Sequence, residues 1–173
     1  IADDSPHASR ETVGLVLSAT GTALQPVAVE TSALWQAPPI GHGKSLSALR
    51  AIEMTLPVGP VEAGKVEIAV RAVAMNLRDI LMMTGVYTLN VLGPGLEVSG
   101  VVTKLGHGVL GLNAGDRVCG WDSNGMKSAV RWYASSVTRA PPHLSFEGCA
   151  TNQIAYVTSV FGLQSMARLG FNE

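Results

Sequence analysis

The sequence has few charged residues, few aromatic residues and only two cysteines. Charged residues make up 14% of the 173 positions and the formal net charge is −1, so there is no electrostatic reason to expect nucleic acid or an anionic membrane as a partner. Two cysteines do not indicate a disulfide scaffold, which predicts a reducing, cytoplasmic location. No uninterrupted apolar run approaches the ~20 residues that span a bilayer. We therefore predict no membrane association.

The N-terminal segment lacks both the marks of a signal peptide and the periodicity of a folded element. It begins with Ile1 rather than Met, which predicts a piece of a larger polypeptide, and its opening is acidic rather than basic. Residues 1–44 are rich in Ser, Thr, Pro, Gly and Ala, with one short strand-like stretch at Val13–Leu17. We predict residues 1–44 to be a linker or peripheral segment.

From Lys65 onward the sequence has the pattern of a small β-domain. In KVEIAVRAV the apolar residues recur with a period of two, which is typical of a half-buried strand. Further strand-like stretches follow between turn residues: EVSGVVTKL, DRVCGW, KSAVRWYA and SSVTRA. Many short strands joined by glycine-rich turns predict a mainly β fold, a small barrel or a sandwich, with a few helices.

Two regions have helical spacing. NLRDILMMTG carries apolar residues on one helical face, and Gly85 is a plausible stop. Near the C-terminus, Ser145 is a plausible N-cap for a first helical turn. A longer helix is predicted from roughly Ile154 to Leu169, ending at Gly170.

Three motifs that suggest a ligand fail on their context. The segment LGHGVLG contains G-x-G-x-x-G at Gly106, Gly108 and Gly111, but LNAGDRVCG after it predicts turn and strand rather than the helix that a dinucleotide site needs. GHGKS resembles the end of a P-loop, yet Pro38 occupies the first glycine position. The histidines and cysteines are scattered, with no pair at metal-ligand spacing. We expect a strand-to-strand turn at the glycines and no metal site.

Three blocks, in order and at matching spacing, resemble the medium-chain dehydrogenase/reductase superfamily, and within it the enoyl reductase domains of polyketide and fatty acid synthases. Their N-L-R-D, G-x-E-x-x-G and G-D-R-V elements are specific only in combination. The blocks are VEIAVRAVAMNLRDILMMTGVY, GLEVSGVVTKLGHGVLGLNAGDRVCG and HLSFEGCATNQIAYVTSVFGLQSMARL.

The resemblance implies a GroES-like barrel of the medium-chain reductase type, followed by the start of the crossover helix to a missing Rossmann domain. We accordingly expect a GroES-like substrate-binding domain at residues 45–144 and connecting helices at 145–173. Zinc-dependent relatives have a Cys where this chain has Asn76 and a His where it has Leu96. Because neither residue supplies a thiolate or an imidazole, no catalytic zinc is expected.

The resemblance also implies site residues. Tyr87 matches a tyrosine proposed as proton donor in many polyketide enoyl reductases, the alternative being an ordinary loop aromatic. Asn76, Leu77 and Thr158 match positions that line the nicotinamide. Alternatively, Asn76 caps the helix that follows it, and Thr158 is an ordinary helix-packing residue. We expect Glu97 to be structural, as are Asp116 and Arg117.

The resemblance implies that the chain is part of an enoyl reductase within a multidomain polyketide or fatty acid synthase. Such a synthase is a transferase. The enoyl reductase would reduce an α,β-unsaturated acyl thioester carried on acyl carrier protein, using NADPH bound mainly by the missing domain. The other synthase domains are further partners, and the parent is expected to be homodimeric. Two alternatives stay open: a catalytically inactive structural domain, and a stand-alone zinc-free quinone-oxidoreductase-like enzyme. Gly148 departs from the family pattern, which has at this position a Glu that closes a capping box. This departure favours the inactive structural domain.

Overall fold

A five-stranded antiparallel sheet forms the centre of the fold in a computed structural model, which describes residues 35–36, 52–53, 59–87 and 93–170. The strand order is β6-β3-β4-β5-β7. Its strands are β3 (Lys65–Ala74), β4 (Glu97–Leu105), β5 (Arg117–Trp121), β6 (Ala129–Tyr133) and β7 (Val137–Arg139), with β1 (Trp35–Gln36) and β2 (Ile52–Glu53) forming a separate antiparallel pair. The mainly β prediction and the five strand-like stretches from Lys65 onward are confirmed.

Alternation along the strands builds the core. In β3, Val66, Ile68 and Val70 are buried on one face, as the period of two predicts. Beyond a register shift between Val70 and Ala72, the strand packs Ala72 and Ala74 against Ala150. The core cluster contains Val66, Ile68, Val70, Val98, Val102, Val118, Val130 and Trp132.

The glycine-rich segment joins two antiparallel strands. β4 ends at Leu105 and β5, its sheet neighbour, begins at Arg117. Gly108 and Gly111 both have φ +80, the left-handed backbone that glycine adopts without steric cost. The strand-to-strand turn is confirmed, and no helix follows the glycines to hold a pyrophosphate.

Two glycines of this turn should respond differently to alanine. A Cβ on buried Gly106 would overlap the carbonyl oxygen of Glu62, whereas a Cβ on Gly108 meets no neighbour. We expect Gly106→Ala to lower the free energy of unfolding by about 3 kcal/mol because backbone must shift. Gly108→Ala should cost only about 1 kcal/mol, the penalty of its positive φ. Urea denaturation of both variants tests this, and equal losses would contradict it.

Five helical segments accompany the sheet in the described residues. They are α1 (Leu77–Met83), a 3₁₀ turn at Ala134–Ser136, α2 (Phe146–Ala150), α3 (Gln153–Val160) and a π-helical continuation at Phe161–Met166. Helix α1 follows β3 directly, and α2 packs on β3 and β4, where Ala150 joins Ala72 and Ala74 in a small cluster. The first helix is confirmed, with Gly85 just beyond it at φ +73.

The C-terminal helices also match the sequence in outline. The Ser145 side chain accepts a hydrogen bond from the Gly148 N–H at 3.1 Å, so the N-cap prediction is confirmed. Helix α3 starts one residue before the predicted Ile154. The π-helical turn was not predicted, and the chain leaves it at Arg168, whose φ is +55, two residues before Gly170.

Several sequence predictions lie outside the described residues. They are the strand-like stretch at 13–17, the GHGKS segment at 41–45 and most of the proposed linker at 1–44. Within that linker the structure describes only Trp35–Gln36, which pair with Ile52–Glu53.

Candidate functional site

Asn76 is held at both its backbone and its side chain. It precedes α1 as the N-cap residue, and its backbone N–H donates to Asp79 Oδ2 at 2.8 Å. Its side-chain Nδ2 donates to Glu97 Oε2 at 2.8 Å. Asp79 is fully buried and its second oxygen, Oδ1, accepts from the Gly95 N–H at 2.9 Å. Two buried carboxylates therefore fix the position of Asn76. Asn76 is also the N-cap residue of α1, which is the alternative role that the sequence left open.

Glu97 connects the strand that carries it to a helix on the other side of the cleft. It is the first residue of β4 and only 3% exposed. Its Oε1 accepts from the Ile154 N–H at 2.6 Å, in the first turn of α3. A carboxylate at a helix N-terminus satisfies N–H groups that have no partner within the helix. Glu97 thus joins β4, the Asn76 loop and α3.

Burial shifts the ionisation of both carboxylates. Loss of solvation raises the pKa of Asp79 above its usual value, although the N–H groups of Asn76 and Gly95 oppose the shift. Burial likewise raises the pKa of Glu97. The backbone N–H of Ile154 and the Asn76 amide oppose that rise, and the nearby Asp79 carboxylate adds to it. The site therefore holds two carboxyl groups whose charged forms burial disfavours, as is common where a fold is shaped for function rather than stability.

These residues form the wall of a cleft of about 550 Å³. Thr158 lies one helical turn after Ile154, on the same face of α3, and both residues line the cleft. The cleft is lined by Ala74, Met75, Asn76, Glu97, Thr151, Ile154, Ala155, Thr158 and Ser159. The structure thus places Asn76 and Thr158, both named by the family resemblance and 82 residues apart in the chain, on one cleft.

The other two predicted site residues lie elsewhere. Leu77 is 69% exposed, and Tyr87 is 37% exposed with its backbone N–H bonded to the Leu81 carbonyl. Neither is among the described residues that line the cleft. Their roles toward cofactor and substrate stay predictions.

Sequence reasoning missed the contribution of Glu97 to the cleft. It treated Glu97 as structural, and burial agrees with that, but the same carboxylate also lines the cleft and holds Asn76. One signal was present in the sequence. Glu97 lies between two apolar residues, Leu96 and Val98, and a carboxylate on a buried strand needs hydrogen-bond donors. Nothing in the sequence named those donors, because Ile154 is 57 residues away.

Charged residues in the G-D-R-V element are structural, as expected. Asp116 accepts from the Asn113 N–H at 2.8 Å and pairs with Arg139 at 3.0 Å. The Arg117 guanidinium donates to the Leu144 carbonyl at 2.6 Å and lies over the Phe146 ring. These contacts fasten the β5 end of the sheet to the segment that leads into α2.

The two cysteines are free and buried next to a smaller pocket of about 250 Å³. Burial raises the pKa of the Cys119 thiol to about 11, and the neighbouring Cys149 adds to the shift. The Gln153 amide donates to the Cys119 sulfur at 3.0 Å. A protonated, buried thiol is a poor nucleophile, so this pocket has no evident chemistry of its own.

A search of the described residues finds neither a metal cluster nor a membrane span. Among residues 59–87 and 93–170, no group of three His, Cys, Asp or Glu side chains is placed to hold an ion. In the same part of the chain, no helix has the length and apolarity needed to cross a bilayer. The absence of zinc stays a prediction based on Asn76 and Leu96.

An apolar surface extends along α3 and the π-helical turn. No residue of either segment is buried, although both are rich in large hydrophobic side chains. The exposed ones, together with Leu169 just after the π-helical turn, are Tyr156, Val157, Val160, Phe161, Leu163 and Met166. Exposed apolar residues in such number are typical of protein–protein, membrane or ligand-binding surfaces. We call these seven residues the C-terminal apolar surface.

The family model of the alcohol dehydrogenase GroES-like domain matches residues 62–156. The chain belongs to this family. That stretch contains β3 to β7, α1, α2 and the start of α3, so it covers the sheet and most of the cleft. The GroES-like fold expected from the resemblance is confirmed.

Similar proteins come from polyketide synthases and related reductases. The GroES-like chain is 37% identical over 130 residues to the highly reducing polyketide synthase ALT1 of Alternaria alternata, which covers 75% of this chain and 5% of the synthase. The crystal structure of the CurK enoyl reductase matches with a TM-score of 0.73 and 27% identity, over 80% of this chain and 44% of that one.

A third similarity is to a stand-alone reductase. Escherichia coli quinone oxidoreductase, solved in complex with NADPH, matches with a TM-score of 0.64 and 28% identity, over 76% of this chain and 41% of that one. The resemblance to enoyl reductases of the medium-chain superfamily is therefore confirmed. The chain spans less than half of either solved reductase and about one twentieth of the synthase.

Proposed function

We propose that this GroES-like domain is the substrate half of an NADPH-dependent enoyl reductase in a multidomain polyketide synthase. The observation that carries the proposal is the cleft in which Asn76 and Thr158 meet. Similarity to polyketide synthases and to the CurK enoyl reductase supports the assignment of substrate and context. A fatty acid synthase with the same reductase domain is included in the proposal.

The cleft residues have the hydrogen-bonding chemistry that a nicotinamide requires. A carboxamide group offers one acceptor and two donor hydrogens, and the Asn76 amide and Thr158 hydroxyl both complement such a group. Ala74, Met75 and Ala155 also line the cleft and supply apolar surface that suits the face of a planar ring. The residues therefore fit the cofactor's reactive end, while its phosphates would be bound by a nucleotide-binding half outside this chain.

In this proposal the residues of the chain orient the reactants, exclude water and move one proton. Bound NADPH supplies the hydride that reduces the double bond of the acyl thioester. Asn76 and Thr158 would hold the nicotinamide at the cleft. Leu77, which does not line the cleft, is kept as a further proposed cofactor contact next to Asn76 in the chain. Tyr87 would donate the proton that the α-carbon of the reduced acyl group requires, because a phenol O–H can act as a general acid toward an enolate.

The remaining partners follow from this assignment. The acyl thioester arrives tethered to an acyl carrier protein, and the other domains of the synthase flank this one. The C-terminal apolar surface is where we place the nucleotide-binding half, because it is the large apolar face next to the cleft. We further propose a GroES-like domain at 45–144, connecting helices at 145–173, a homodimeric parent and a cytoplasmic location.

The test is reduction of a crotonyl-type thioester by the complete polypeptide that carries this chain. Consumption of NADPH with formation of the saturated thioester is expected, and p-benzoquinone serves as the competing substrate. Faster reduction of the quinone would favour the second candidate, a stand-alone quinone oxidoreductase, for which the Escherichia coli structure is the supporting observation. If the complete polypeptide binds no NADPH, as measured by the fluorescence of NADPH, the result would favour the inactive structural domain.

A further inference from the structure

Glu97 has more hydrogen-bonding functions than a strand residue needs. Each of its two oxygens accepts from a different element: Oε1 from the Ile154 N–H at 2.6 Å and Oε2 from the Asn76 amide at 2.8 Å. A residue that only closed the N-terminus of α3 would require the first contact and not the second. The second contact reaches a side chain that lines the cleft.

The contact between Glu97 and Asn76 is directional. An ionised carboxylate only accepts hydrogen bonds, whereas a carboxamide has a donor end and an acceptor end. The Nδ2 end of Asn76 must therefore face Glu97, because the opposite orientation would bring two oxygens together. The Asn76 backbone is fixed independently, through its N–H bond to Asp79 at 2.8 Å. With the backbone anchored, the Glu97 contact fixes the direction in which the Nδ2 end of the carboxamide points.

We propose that Glu97 is a positioning residue, whose buried carboxylate sets which end of the Asn76 carboxamide faces the nicotinamide. The inference rests on the proposed function, since it assigns Asn76 to the cofactor site. In this proposal Glu97 affects the cofactor through its neighbours rather than through a contact of its own. It acts through Asn76 on one side of the cleft and, through Ile154, keeps the helix that carries Thr158 on the other.

The Glu97→Gln variant isolates the directional contact. Glutamine keeps one carbonyl oxygen to accept from the Ile154 N–H, so α3 retains its anchor. Its other end becomes an NH₂ group that faces the Nδ2 of Asn76, and two donors cannot bond. Asn76 must then rotate and exchange the group that it presents to the cleft. The thermal midpoint should not fall, because the change removes a buried charge.

The first measurement is NADPH binding by the complete polypeptide, followed by fluorescence. Glu97→Gln is expected to weaken binding about tenfold, the effect of one misplaced hydrogen bond. Glu147→Gln is the matched control: Glu147 is exposed on α2, and the same loss of negative charge there should leave binding unchanged. Removing an anion would by itself favour an anionic ligand, so weaker binding cannot come from net charge.

The second measurement is a double-mutant cycle with Asn76→Ala. If Glu97 acts through Asn76, adding Glu97→Gln to Asn76→Ala causes no further loss of NADPH affinity. Additive losses would overturn the positioning role and assign Glu97 an independent structural one. Equal affinity of Glu97→Gln and the wild type would overturn it as well.

The third measurement needs no cofactor. In protein labelled with ¹⁵N-asparagine, Glu97→Gln should shift the side-chain NH₂ resonances of Asn76, assigned by their loss in Asn76→Asp. Unchanged resonances would overturn the proposal. A wild type that binds no NADPH refutes the proposed function and with it the cofactor role of Glu97. If the wild type binds NADPH and Glu97→Gln binds it with the same affinity, only the positioning role is refuted.

Discussion

Replacing Glu67 with alanine is expected to lower the free energy of unfolding by about 3 kcal/mol, because it leaves a buried arginine without its main partner. Glu67 lies on β3 opposite Arg131 of β6 and Lys104 of β4 in the strand register. Arg131 Nη2 is 2.9 Å from the Glu67 carboxylate, and both side chains are over nine-tenths buried. Glu62, at 3.8 Å from Arg131, limits the loss to the lower end of the range for broken buried pairs.

Urea denaturation measures this loss, with Arg139→Ala as control. Arg139 forms the same kind of pair with Asp116, but at the surface, so its removal should cost under about 1 kcal/mol. Burial opposes ionisation of Glu67, yet bonds from Lys104, Arg131 and Thr103 outweigh it and leave its pKa below 4.5. The Glu67 effect should therefore be complete above about pH 4.5 and shrink as the pH falls through the lowered pKa. Equal losses in the two variants would contradict the expectation.

Replacing Tyr87 with phenylalanine is expected to lower kcat for thioester reduction about 10²-fold, since it removes the proposed proton donor. The ring and its backbone bond to Leu81 are kept, so folding should be unaffected. Stereochemistry at the α-carbon should become mixed, because water would then deliver the proton from either face. The measurement is steady-state reduction of a crotonyl-type thioester bearing an α-methyl group, with chiral analysis of the product.

Tyr133→Phe is the matched control for Tyr87→Phe. Tyr133 is exposed at the end of β6, where Lys65 lies 5.2 Å from its ring centre. Lys65 begins β3, whereas the cleft is at the other end of that strand, beside Ala74. Tyr133→Phe should therefore leave rate and stereochemistry unchanged. If Tyr87→Phe also keeps both, Tyr87 is not the donor.

Local patterns in the sequence were sufficient for most of the fold. The period of two in KVEIAVRAV predicted the buried face of β3, and Ser145 and Gly85 marked helix ends, because each signal depends on neighbours within one turn or one strand. The π-helical turn at 161–166 has no such local signal that we recognise. The glycine motif was assigned correctly because its context, a following strand, is also local.

The site was predictable only in part because its geometry is long-range. Resemblance to a family named Asn76 and Thr158, but their meeting in one cleft depends on Glu97 bonding to Ile154 across 57 residues. The burial of Glu67 was missed for a similar reason. The alternation along β3 places Glu67 on the face opposite Val66 and Ile68, where a polar residue is expected to be exposed. Its burial depends on the cross-strand partners Arg131 and Lys104.

The state of the two native thiols makes the chain convenient for single-site labelling. Cys119 and Cys149 are the only cysteines in the sequence, both lie in the interior, and alkylating reagents need an accessible thiolate. Leu110, at the tip of the turn between β4 and β5, is 90% exposed. A cysteine introduced there would take up a maleimide dye selectively, so that distances to a dye on a carrier protein become measurable without first removing native residues.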